Sequence, residues 1–80
     1  MAAGTSYQSS LVSIVVPLYN EEDNVRPMFE AIKAALDSAT YHYEVIFVDD
    51  GSTDATARVA RELALSEERL YLLKLRRNYG

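Results

Sequence analysis

Eighty residues leave room for one small domain, because a chain this short buries only roughly 60–65% of its unfolded surface. A composition of 49% apolar and 25% charged residues is that of a folded globular chain and argues against a disordered one. Twelve acidic against eight basic residues, a net charge of −4, argue against phosphate-driven nucleic-acid binding, and the lack of cysteine excludes disulfides and thiolate metal sites.

No apolar run approaches the roughly 18 residues that span a bilayer. The opening "MAAGTSYQSS" lacks the basic and apolar regions of a secretory signal, so residues 1–10 read as a disordered polar tail. A cysteine-free chain without either segment fits the cytoplasm. The first element is "LVSIVV", Leu11 to Val16, a β-branched run read as a strand that Pro17 stops. Asn20 and the acids after it suit a helix start, and Pro27 is tolerable if it lies in the first turn. Val25, Met28, Phe29, Ile32, Ala35 and Leu36 then follow helical spacing and predict an amphipathic helix.

Glu44 to Val48 predicts a second strand, apolar as expected when both faces are covered. It runs into "DDGSTD", where Ser52 or Thr53 is the expected cap of the next helix, with Asp54 in its first turn. Val59, Ala60, Leu63 and Ala64 form the apolar stripe of that helix, and "RLYLLKL", residues 69 to 75, predicts a third strand before the loop "RRNYG". The order β-α-β-α-β with short links implies two right-handed crossovers on a parallel three-stranded sheet, an α/β Rossmann-like fold. Ligands of such sheets bind at the carboxyl ends of the strands, which here carry "PLYNEEDN", "DDGSTD" and "RRNYG". Three strands would leave a buried-type strand as an edge, so residues 11–80 are expected to be the N-terminal, nucleotide-binding part of a larger domain. The alternative is a small protein that needs a partner, a homo-oligomer included.

Neither a G-x-G-x-x-G fingerprint nor a phosphate-binding P-loop occurs, and "DDGSTD" lacks the spacing of a calcium loop. His42, alone between two tyrosines, reads as structural or exposed and not as a ligand. What remains is a pair of acidic loops. The Asp50 carboxylate could accept from the ring N–H groups of uracil or guanine, Tyr19 could stack on the base, and Glu21 could accept ribose hydroxyls. Equally, Asp49 and Asp50 could simply occupy a turn for which Gly51 supplies the permissive backbone.

"SIVVPLYNEEDNV", "YEVIFVDDGSTDATARVA" and "LLKLRRNYG", in that order, resemble the start of a family 2 glycosyltransferase of the GT-A fold. Within it they are similar to the polyprenyl-phosphate branch that includes dolichol-phosphate mannose synthase. The resemblance covers residues 13–80 and implies a nucleotide site made by Pro17, Tyr19, Glu21, Val48 and Asp50. Asp49 would shape the loop, while Arg77 and Asn78 are weaker candidates beside the nucleotide-sugar. Asn20, Asp23 and Asp54 are expected to be helix caps.

The same resemblance implies a UDP- or GDP-sugar donor, a polyprenyl phosphate acceptor, and Mg2+ or Mn2+ held by residues beyond Gly80, with the enzyme at the cytoplasmic face of a membrane. These 80 residues would then carry part of the nucleotide platform and no catalytic or metal-binding residue. A non-catalytic module that keeps nucleotide binding is the alternative. A signalling receiver domain also places an acidic pair at a strand end. There the pair follows the first strand; here it follows the second, and no Asp occurs after Asp54.

Overall fold

The computed structural model describes residues 11–38 and 42–75. Three strands, β1 (Leu11–Leu18), β2 (His42–Asp49) and β3 (Leu70–Lys74), alternate with two helices, α1 (Val25–Leu36) and α2 (Thr56–Ser66). The sheet is parallel in the order β1-β2-β3, with Leu11 opposite His42, Leu18 opposite Asp49 and Val45 opposite Leu70. This is the expected Rossmann-like arrangement. The predicted tail and the "RRNYG" loop, with Arg77 and Asn78, lie outside the described residues.

Because the strand order follows the chain, both crossovers move in one direction and lay α1 and α2 on the same face. That face is the core. Leu18, Val45, Phe47 and Leu70 from the strands meet Val25, Phe29, Ala60 and Leu63 from the helices, all buried. Phe29 and Phe47 pack edge to face with centroids 6.3 Å apart. Met28, Ile32 and Leu36 complete the α1 stripe, whereas Ala35 is exposed. At the amino end of the sheet the Tyr43 hydroxyl donates to Asp37 at 2.7 Å, and Arg69 lies 4.6 Å from the ring centre.

Side chains alternate along a strand, so the neighbours of the core residues line the opposite face. There Val15 lies level with Ile46 and Tyr71, and Pro17 with Val48 and Leu73. Val15, Tyr71 and Leu73 are each more than half exposed. β2 was expected to be covered on both faces; among the described residues the helices cover one, and on the other Ile46 and Val48 are half-buried.

Pro17 does not stop β1, which continues through Leu18. The Asp50 N–H donates to the Leu18 carbonyl at 3.0 Å, so Leu18 turns its ladder groups toward β2 and Pro17 turns its own away. The missing N–H of proline therefore falls on the open side of β1, where it costs no ladder bond. Pro27 lies in the first turn of α1, as required.

Candidate functional site

The carboxyl ends of β1 and β2 are cross-linked side by side. Pro17 and Val48 are opposite each other in the register, and the Leu18–Asp50 backbone bond continues the pairing beyond β2. By alternation Pro17 of the first strand and Val48 of the second belong to the sheet face that the helices leave uncovered, and Tyr19 and Asp50 are the first residues beyond the two strands. Four of the residues singled out in the sequence thus converge on one ledge. Tyr19 is 56% exposed there, an aromatic ring held open to solvent at a strand end.

The adjacent aspartates part company for the same reason. Asp49 points into the core face and is fully buried. Its Oδ1 accepts the Ser52 N–H at 3.3 Å, closing the turn in which Gly51 takes φ 81°. Its Oδ2 has no hydrogen-bond partner among the described residues. Asp50, the first residue past β2, is half-buried, and its N–H is the one that bonds the Leu18 carbonyl. Among the described residues no group of three or more His, Cys, Asp or Glu side chains could hold a metal ion.

The loops that follow, residues 19–24 and 50–55, hold one another. Asn20 stands at φ 51°, a left-handed conformation in which asparagine is the best tolerated residue after glycine. Its Oδ1 accepts from the Thr53 N–H at 2.8 Å, the Asp54 N–H at 3.3 Å and the Thr53 hydroxyl at 3.4 Å. Its own N–H donates to the Ser52 hydroxyl at 2.9 Å. One residue later the Glu21 N–H donates to Thr56 Oγ1 at 2.7 Å. The Glu22 N–H donates to Asp54 Oδ2 at 3.4 Å, and the Ala55 N–H returns a bond to Glu22 Oε1 at 3.1 Å.

This network revises the expected caps. Asn20 stands five residues before α1 and caps nothing on it; Asn24, the residue before the helix, makes no side-chain cap bond. Asp23 likewise precedes that position and lies outside the first turn of α1. Ser52 and Thr53 do not cap α2, because their polar groups are engaged by Asn20. Asp54 does the capping from before the helix, where its Oδ1 accepts from the Thr56 N–H at 2.9 Å and from the Thr56 hydroxyl. That hydroxyl, first among its partners, holds the Asp54 carboxyl below the usual carboxylate range. Thr56, absent from the expected site, is fully buried and connects Glu21 to Asp54.

Two cavities among the described residues lie away from the ledge. One of about 540 Å³ lies between α2 and the outer edge of β3, near Leu65 and Leu72. Another of about 150 Å³ lies at the amino end, near Lys33 and Tyr43. His42 is exposed at the start of β2, away from the ledge.

A parallel β-α-β-α-β sheet with clasped polar loops at its carboxyl edge defines a Rossmann-like α/β platform of the kind that binds ligands at strand ends. Residues 13–80 match the family described as "Glycosyl transferase family 2", and the chain belongs to that family. It is 46% identical over 74 residues to a dodecaprenyl-phosphate galacturonate synthase of Rhizobium johnstonii, a match covering 91% of this chain and 22% of that protein. It is 43% identical over 70 residues to an undecaprenyl-phosphate 4-deoxy-4-formamido-L-arabinose transferase of Edwardsiella ictaluri, covering 86% and 22%. An uncharacterized glycosyltransferase of Bacillus subtilis, YkcC, is 38% identical over 68 residues, covering 85% and 21%. The chain therefore spans about a fifth of the length of these curated relatives.

Proposed function

We propose that this chain forms the nucleotide-binding part of a glycosyltransferase that moves a sugar from a UDP- or GDP-sugar to a polyprenyl phosphate. The observation that carries the reading is the convergence of Pro17, Tyr19, Val48 and Asp50 on one ledge at the carboxyl edge. On it the Asp50 carboxylate accepts from the ring N–H of the base, a charge-assisted and directional bond. Tyr19 stacks on the base, Pro17 and Val48 give it an apolar floor, and Glu21, on the adjoining loop, takes the ribose hydroxyls. Arg77 and Asn78 stand next in the chain for contacts to the nucleotide-sugar.

The family match and the polyprenyl-phosphate relatives support the reaction class. In a protein of the relatives' length, a phosphate oxygen of the acceptor attacks the anomeric carbon and the bond to the nucleoside diphosphate breaks in one displacement. A lipid-borne acceptor puts that protein at the cytoplasmic face of a membrane. No helix of the described residues is long and apolar enough to cross one. The Mg2+ or Mn2+ that would neutralise the departing diphosphate would be held by residues outside this chain, so the 80 residues bind nucleotide without transferring sugar.

Titration of the chain with UDP and with GDP, followed by NMR, tests the reading. Shifts centred on Tyr19 and Asp50 are expected, together with no sugar transfer to a polyprenyl phosphate. Saturating nucleotide that leaves those resonances unmoved would reject the site. Measurable transfer would reject the division of labour.

A further inference from the structure

The strand-end ledge is assembled from two loops more than thirty residues apart in sequence, and the Asn20 side chain makes three of the hydrogen bonds that join them. We infer that Asn20 is a positioning residue for the nucleoside: its grip on the β2–α2 loop sets the spacing between Tyr19 and Asp50. This rests on the nucleotide reading above. Tyr19 lies between two cross-links to the other loop, the Leu18 carbonyl bonded to the Asp50 N–H and the Asn20 contacts to Ser52, Thr53 and Asp54. Asp50 lies at one of those cross-links and two residues from the other. A ring stacked on one loop and a carboxylate aimed at the edge of the same base from the other demand a fixed gap. The Asn20 clasp supplies it before any ligand arrives.

The residue type fits that task. Glycine would adopt φ 51° but offer no acceptor for the Thr53 and Asp54 N–H groups. Aspartate would accept those bonds, yet it would add a charge to loops that already hold Glu21, Glu22, Asp23, Asp50 and Asp54. A nucleoside diphosphate is itself anionic, and further negative charge beside it is repulsive. Asparagine gives the turn and the acceptor without the charge.

The experiment compares Asn20→Gly, Asn20→Asp and Asp50→Ala in the 80-residue chain, with amide exchange followed at Thr53 and Asp54 and with UDP, GDP, uridine and guanosine as titrants. Asn20→Gly should keep the helix and strand resonances, release the two amides to faster exchange, and weaken nucleotide binding about 10-fold, the worth of one hydrogen bond to a charged group. Asn20→Asp should keep the two amides protected and bind the uncharged nucleosides as wild type does, while binding the diphosphates less tightly. If Asn20→Gly does not fold, Ser52→Ala, which removes the partner of the Asn20 N–H, should weaken nucleotide binding in the same direction. Unchanged affinity in Asn20→Gly, or in Ser52→Ala where that variant stands in for it, beside a weakened Asp50→Ala overturns the inference alone. So does weakened binding in Asn20→Gly with both amides still protected. Unchanged affinity in Asp50→Ala rejects the nucleotide reading, and this inference with it.

Discussion

The two faces of the sheet are built from the same strands and have opposite characters. On one, Phe47, Val45 and Leu18 disappear beneath α1 and α2; on the other, Val15, Tyr71 and Leu73 stay largely exposed. The difference arises from alternation, which sends every second residue of a strand to each face, and from two crossovers that place both helices on one side. The covered face holds the fold together. The uncovered face carries, at its carboxyl edge, the residues proposed to meet the nucleoside. Asp49, buried in the covered face, and Asp50, its neighbour in sequence, are proposed to divide between these two roles.

The largest effect that can break this contrast is Phe47→Ala. It removes a fully buried ring packed on Phe29 and should cost about 3–5 kcal/mol, most of what so small a domain has. Chemical denaturation should therefore find the variant largely unfolded in buffer; a cooperative native-like transition would mean the core lies elsewhere. The aspartate pair sharpens the comparison. Asp50→Ala should weaken UDP or GDP binding by about 1.5–3 kcal/mol in calorimetry, the range for hydrogen bonds to charged groups. Asp49→Ala should instead lower unfolding stability, by about 1–2 kcal/mol, because the Ser52 N–H loses its acceptor within the loop. Exchanged phenotypes would invert the assignment of faces.

On the uncovered face, Val15→Ala should change the denaturation midpoint little, by an amount within about 0.5 kcal/mol, since Val15 is 60% exposed. The smallest effect concerns acid. The Asp54 carboxyl is held below the usual range by the hydroxyl of Thr56, so its folded-state pKa lies below its unfolded one. Its contribution is complete above the unfolded value and is lost as pH falls through the folded one. In acid titration followed by circular dichroism, Asp54→Asn should accordingly lose less stability than wild type across that window. An identical acid profile would mean that the α2 cap carries no charge-dependent stability.

Much of this molecule is legible in its sequence. Helical spacing in "VRPMFEAIKAAL" marked Val25, Phe29 and Ile32 as the inner side of α1, and all three pack in the core. The apolar run ending in "DD" marked β2 and the strand end where a ligand would sit. The three ordered motifs point to family 2 glycosyltransferases, the family that residues 13–80 match. What was read less well depends on contacts between distant residues. Pro17 looked like a strand terminator, but a proline ends a strand only where its N–H is needed, and here the ladder bonds to β2 are carried by its neighbour Leu18. Asn20 and Asp54 looked alike as caps. Asp54 is one, by a local bond two residues away, whereas the partners of Asn20 lie 32 to 34 residues along the chain.

By itself, then, the sequence determined what short-range physics can encode: which segments are strands and helices, which stripe of each helix is apolar, and where polar chemistry gathers at the strand ends. The tertiary structure alone decided which strand face the helices cover, which ladder groups Pro17 can do without, and that Asn20, Glu22, Ser52, Asp54 and Thr56 bond the two acidic loops to one another. Periodicity is a property of neighbours along the chain. Parity between strands, and a hydrogen bond across two loops, exist only once the register of the parallel sheet is set.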